Sequence, residues 1–186
     1  RWILSELNSL VAGVTEAFEA FAPDRAAHQA EQFVEYLSNW YVRRSRRRFW
    51  KSGLLSGPDP SGDQDKLSAY STLYECLITL VRLLAPVMPF ATESMYANLV
   101  RSVNGGPESV HLDSYPEADE SLIDMRLTEA TRLAMRLSSL GRAARDKASI
   151  KVRQPLAGAV VSVPGQPERQ LLPDIEEQLK DELNVK

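Results

Sequence analysis

The sequence predicts a mainly α protein, an antiparallel helical bundle followed by a small, incomplete α/β segment. Three observations predict it. Apolar residues recur at steps of three and four through four successive stretches between residues 3 and 103, the period of one buried helical face. Breaks rich in Pro, Gly and Asp separate those stretches, and helices with mostly short connections pack as antiparallel neighbours. Beyond residue 148 the pattern changes to alternation and β-branched runs, the marks of strands.

Taken in order, Ile3, Leu7, Leu10, Val14, Phe18 and Phe21 give the first helix. Pro23 ends it, and Asp24 is expected to cap the next. That second helix carries Ala26, Ala30, Phe33, Leu37 and Tyr41, and runs on to Arg44 and Arg48 over roughly 25 residues. Residues 52–65, SGLLSGPDPSGDQD, are expected to form a loop with Leu54 and Leu55 as its apolar content. A third helix follows on Leu67, Tyr70, Tyr74, Leu77, Val81 and Leu84, stopped by the two prolines of APVMPF. A fourth is expected to start near Thr92 and to end at Asn104–Pro107. ESVHLDSYPEAD forms an extended bridge to a fifth helix from about Ser121 to Lys147. SIKVRQPL, GAVVSVP and ELNVK read as strands, with a helix over 168–180 between the last two. The expected division is a helical-bundle domain over 1–118, then the fifth helix and the start of a small α/β domain over 119–186. The chain opens inside a helical pattern without an initiator Met and closes on a strand just begun, so it is expected to be part of a longer protein.

Composition bounds the function. Hydrophobic content of 44% and charged content of 25% are those of a globular protein with a buried core. No 18 consecutive residues are apolar, and RWILSELNSL lacks the layout of a signal peptide, so no membrane partner is expected. The single cysteine, Cys76, excludes an internal disulfide and a thiolate zinc site, which fits a cytoplasmic location. It lies beside the third helical stripe as a packed thiol. His28 and His111 have no companions at metal-ligand spacing, and the carboxylates are scattered along helix faces.

The formal net charge is −3, yet five arginines and a lysine lie between Arg43 and Lys51, inside NWYVRRSRRRFWKSG (39–53). Setting those six aside leaves 16 Lys/Arg against 25 Asp/Glu, so the chain is an acidic body with one concentrated basic site. On a helical wheel Phe33, Leu37, Trp40 and Tyr41 share an arc that runs out into Arg44 and Arg48, while Arg43, Arg46, Arg47 and Trp50 share the adjoining arc. Unpaired guanidinium groups are too costly to bury, so this end projects from the bundle or meets an anionic partner. Arginine forks match phosphates, and neighbouring rings suit unstacked bases, a combination that structured RNA satisfies. A solvated face, or a basic nuclear-import-like run on a non-enzymatic interaction module, has the same composition.

LSNWYVRRSRRRFWK (37–51) resembles the second helix of the anticodon-binding domain of isoleucyl-tRNA synthetases, in the branch shared by eukaryotes and some bacteria. RWILSELNSLV (1–11), LYECLITLVRLLAPVMPFATESMY (73–96), SVHLDSYPEAD (109–119), GRAARDKASIKVRQPL (141–156) and ELNVK (182–186) agree in order. The resemblance covers essentially the whole chain. RWIL and the APVMPF–TE junction recur in valyl and leucyl enzymes, which stay as alternatives, while NWYVRRSRRRFW and IKVRQPL point to isoleucine. The HIGH and KMSKS-type signatures do not occur, so the resemblance implies no catalytic residue, no cofactor site and no editing pocket in this stretch. It implies a parent enzyme, expected to be monomeric, that joins isoleucine to tRNA(Ile) with ATP and magnesium through catalytic and editing domains elsewhere in the chain. This part would then bind the anticodon stem-loop. The implied tRNA-binding residues are Asn39, Trp40, Arg43, Arg44, Arg46, Arg47, Arg48, Phe49, Trp50 and Lys51, with Lys151 and Arg153 in the strand-like IKVRQP. Trp40 and Tyr41 continue the apolar stripe and lean to the core, and Arg44 and Arg48 have an alternative role as internal supports.

Overall fold

The computed structural model describes residues 1–50, 60–104 and 106–186, and the expectations for Lys51, Leu54 and Leu55 lie outside the described residues. The chain divides into two compact units, one of Ile3–Ile123 with Arg1 and one of Asp124–Lys186 with Trp2.

In the first unit α1 (Trp2–Glu19) buries Ile3, Leu7, Leu10 and Val14 of the expected stripe together with Val11 and Ala17, while Phe18 is half-buried and Phe21, past the helix end, is 93% exposed. Its end is sharp because Phe21 turns left-handed at φ 54°. Then α2 (Pro23–Tyr36) begins, with Ala22 rather than Asp24 at the N-cap. Pro23 takes the first helical position, where a missing N–H costs nothing, and Asp24 falls in the first turn, favourable to the helix dipole. Arg25 reaches Glu16 at 3.1 Å, and Gln29 Nε2 donates to Gly13 O at 3.4 Å, which fixes α1 and α2 as an antiparallel pair.

The rod then continues without a break through a π-helical segment, Leu37–Val42, into α3 (Arg43–Trp50). Next is α4 (Pro60–Leu84), which begins within the expected 52–65 loop. Tyr41 Oη donates to Ala69 O at 3.0 Å and Arg48 Nε to Asp65 Oδ1 at 2.9 Å, so α4 runs antiparallel to the rod. By length and composition alone, Asp63–Leu84 would also qualify as a membrane span. Here its apolar face lines the bundle through Ala69, Cys76, Ile78, Leu80, Val81 and Leu83. Burial, with the Glu75 charge beside it, pushes the Cys76 thiol up to about 12.

Helix α5 (Pro89–Tyr96) starts three residues before the expected Thr92, again on a first-turn proline. It passes through a second π-helical segment, Ala97–Arg101, into the single turn α6 (Ser102–Asn104). Ile78, Val81, Ala85, Tyr96, Val100 and Val110 form one core cluster, with Tyr74 and Leu99 at its edge. The bridge after α6 is extended apart from two 3-10 turns, Val110–Leu112 and Glu120–Leu122. Polar anchors tie it to the bundle. Asp113 Oδ2 accepts from Tyr96 Oη at 2.7 Å and Arg82 Nε at 2.8 Å. Glu93 accepts from the Val110 N–H at 3.0 Å and the Ser109 hydroxyl at 2.8 Å, bonds that hold its carboxyl below the usual range.

In the second unit α7 (Met125–Lys147) starts later than the expected Ser121, because Asp124 caps it by accepting from the Leu127 N–H at 2.9 Å. Its partner α8 (Gln166–Leu183) runs in the same direction: Arg126 in the first turn of α7 pairs with Asp174 midway along α8, and Arg142, further along α7, with Glu182 near the end of α8. Gly141 lets the helices close up, since a Cβ there would lie 2.6 Å from Leu183 Cδ1. The strands expected at SIKVRQPL, GAVVSVP and ELNVK are a correction: among the described residues none forms. Helix α8 takes Glu182 and Leu183, and Asn184 ends it left-handed at φ 50°. A strand needs a ladder, and one parallel bridge, Leu156 with Val185, is what remains of the α/β expectation.

Asp113 is the testable joint of the first unit. Burial raises its carboxyl pKa, but the bonds from Tyr96 and Arg82 outweigh that and leave it below the ordinary value. A lowered folded-state pKa contributes stability above the unfolded value, about 4, and loses it as pH falls through the folded one. Asp113→Asn is expected to lower stability at pH 7 by about 2 kcal/mol. The gap to the unaltered chain should close below about pH 4, as urea denaturation at the two pH values would measure.

Candidate nucleic-acid interface

The interface is built by the π-helical segment and α3. A π turn inserts one residue into the helical repeat and advances the faces beyond it. Trp40 is 6% exposed, and the next buried position is Ser45, five residues on. The wheel drawn at the α-helical period puts Arg44 there. Instead Arg44 lies half-buried at the edge, its guanidinium carbon 5.3 Å from the centre of the Trp40 ring. Arg43 covers the same ring at 5.4 Å and donates from Nε to the Asn39 carbonyl at 2.9 Å. Trp40 is therefore a core residue that carries two cations, and Asn39 offers its backbone to Arg43 while remaining exposed.

The tip is anchored by rings and one ion pair. Phe49 packs between Tyr41, with centroids 6.5 Å apart, and Tyr70, 5.0 Å away. Arg48 grips Asp65 twice, through the carboxylate at 2.8 Å and the carbonyl at 3.1 Å. Of the implied contact residues, Trp40, Phe49 and Arg48 are thus engaged within the protein, in line with the alternative of internal support for Arg48.

Arg43, Arg46, Arg47 and Trp50 are exposed together on α3. Trp50 is 75% exposed, with the Arg46 guanidinium 5.0 Å from its ring centre. Among the described residues no carboxylate pairs with Arg46 or Arg47. The result is a rigid, solvated, cationic surface with one accessible indole. Such a surface can hold phosphates with its forks and one unstacked base on its ring. Lys151 and Arg153 belong to the second unit and are exposed in a turn rather than a strand. Among the described residues no group of three or more His, Cys, Asp or Glu could hold a metal ion.

Two features escaped the sequence reading. Ser45 has no apolar signature, and its burial follows from the π insertion. Arg145 is buried at 4% exposure and binds backbone carbonyls on both sides. Its signal was present: the i, i+4 steps from Leu137 through Gly141 bring position 145 onto the inward face of α7.

The division of labour on α3 makes a stability contrast. Arg47→Ala should leave stability within about 0.5 kcal/mol of the unaltered chain. Arg48→Ala should cost about 1 kcal/mol, since a half-exposed pair and a carbonyl bond are lost together. Urea denaturation of both variants distinguishes them, and equal losses would refute the assignment.

The family "Anticodon-binding domain of tRNA ligase" matches residues 1–161. The chain is similar over its whole length to the isoleucine–tRNA ligase of Dehalococcoides mccartyi strain 195, at 54% identity and covering 18% of that protein. The ligase of Thermobifida fusca is 48% identical, with 16% of it covered, and that of Thermus thermophilus 43%, with 17% covered. The chain thus spans less than a fifth of these curated relatives.

Proposed function

The chain belongs to the anticodon-binding domain family of tRNA ligases, and from that premise we propose that it is the anticodon stem-loop-binding part of an isoleucine–tRNA ligase. The observation that carries the proposal is the exposed cationic face of α3, where Arg46 and Arg47 have no described carboxylate partner and Arg43 stands beside them. An RNA hairpin supplies what this face lacks, a curved line of phosphates and bases freed from pairing. Arg43, Arg46 and Arg47 take phosphates or base edges, and Trp50 offers its ring to one unstacked base, a contact worth about 1–3 kcal/mol. Arg44, Arg48, Trp40, Tyr41 and Phe49 hold that surface in shape.

The substrate reading is tRNA(Ile), on the strength of relatives named isoleucine–tRNA ligase along the whole chain. Joining isoleucine to tRNA with ATP and magnesium belongs to the catalytic and editing parts of the longer protein, proposed to be a cytoplasmic monomer. The residues of this chain bind and orient; no chemical step runs through them.

Filter binding with a tRNA transcript bearing an isoleucine anticodon tests the proposal. The combined Arg43/Arg46/Arg47→Ala variant should lose about 1 kcal/mol or more per arginine. Its affinity should also depend less steeply on salt, because fewer counterions are released. Undiminished binding would show the surface to be wrong. Equal competition by unrelated duplex RNA would reduce the site to a general polyanion binder, and preference for a valine or leucine anticodon would move it to a sister ligase.

A further inference from the structure

We propose that the turn Lys151–Gln154 in the second unit is a separate phosphate-binding site for RNA, held in its binding shape from within by the positioning residues Arg145 and Asn184. The inference rests on the reading of the chain as a tRNA-binding domain.

The turn's backbone is accounted for carbonyl by carbonyl. Arg145 donates to the Lys151 carbonyl at 3.0 Å and to the Gln154 carbonyl at 2.9 Å. Asn184 Nδ2 donates to the Val152 carbonyl at 3.3 Å and the Arg153 carbonyl at 3.0 Å. The Gln154 N–H closes the turn on the Lys151 carbonyl at 2.9 Å. All four carbonyls of the turn therefore accept from protein donors. The side chains of Lys151, Val152 and Arg153 remain exposed, and among the described residues no carboxylate pairs with either cation.

The clamp is itself cationic. A buried guanidinium stays charged, and the groups facing Arg145 are carbonyls: those of the turn, with Leu183 at 2.6 Å and Asn184 at 3.4 Å at the end of α8. The helix C-terminus supplies partial negative charge that stabilises it there. The nearby carboxylate of Glu182 is committed to Arg142. A tight turn needs only a neutral donor to hold its carbonyls. One held by a buried cation, with Lys151 and Arg153 exposed on the turn itself, brings three cationic residues to one short turn. That arrangement fits the oxygens of a polynucleotide backbone.

Asn184 offers a clean test, because its left-handed backbone is one that glycine adopts without strain. In the 186-residue chain, Asn184→Gly keeps the end of α8 and removes both bonds to the turn. Filter binding with the isoleucine-anticodon transcript over a salt series is expected to give about threefold weaker binding for Asn184→Gly, from lost preorganisation, with only a small drop in thermal stability because water reaches the two freed carbonyls. Lys151→Ala/Arg153→Ala should bind about tenfold more weakly and lower the salt slope by about 1.5, the signature of two phosphate contacts. Unchanged affinity of either variant, while Arg43/Arg46/Arg47→Ala still loses binding, overturns this inference and leaves the α3 surface standing. If the unaltered chain retains no tRNA, both readings fall.

Discussion

The first unit is organised by the cost of burying guanidinium. A helix that packs Phe33, Leu37 and Trp40 into a core cannot continue the same inward face through Arg44 and Arg48 unless each finds a partner. The chain meets that constraint at the π-helical segment Leu37–Val42. One added residue puts Ser45 inward, a side chain small enough to sit against the bundle without a cavity or a stranded charge. Arg44 slides to the edge and rests on Trp40. Arg48, which still reaches the bundle, finds the Asp65 carboxylate and carbonyl on α4. Arg46 and Arg47, which pair with no carboxylate among the described residues, lie on the outer face.

Rigidity of that face comes from aromatic packing more than from the ion pair. An exposed or half-exposed pair contributes little on its own. Phe49 between Tyr41 and Tyr70, with the Tyr41 hydroxyl bonded to Ala69, fixes α3 against α4 through apolar area and one bond to a main-chain carbonyl. The alternation of rings and cations in WYVRRSRRRFW therefore has a mechanical meaning. Trp40, Tyr41 and Phe49 are the fastenings, and Trp50, beyond them, is the ring that faces solvent.

Much of this was legible in the sequence, and what was not has identifiable causes. The helices of the first unit follow from apolar spacing, and the lean of Trp40 and Tyr41 to the core from their place in the stripe. The start of α4 falls inside a Gly-, Pro- and Asp-rich stretch whose composition reads as loop, and that of α5 on the second proline of APVMPF, which reads as a stop but at a first turn is a start. The face of Ser45 was hidden because a wheel of fixed period cannot contain a π insertion. The strands of the last third were read from side-chain alternation alone. Alternation describes one strand, whereas a sheet depends on a neighbour in register, and the second unit supplies a single bridged pair. Lys151 and Arg153 were therefore found as candidates but assigned to the wrong local structure.

The two basic surfaces solve one problem by opposite means. On α3 the cations ride on a helix whose own hydrogen bonds already satisfy the backbone, so the side chains need only apolar fastenings beneath them. At Lys151–Gln154 no helix or ladder satisfies the backbone, and exposed carbonyls beside a cationic side chain would compete with an anionic ligand for it. Drawing all four carbonyls onto Arg145 and Asn184 removes that competition. It also explains why a charged residue occupies an inward position of α7, where an apolar side chain would pack without desolvating a guanidinium. Leucine at 145 could fill the space, but it would take the donor from the Gln154 carbonyl of the turn and the Leu183 carbonyl of the α8 terminus, each a loss of about 1–3 kcal/mol. The buried cation is thus the less costly occupant of that position, and the turn's outward positive charge follows from the same choice.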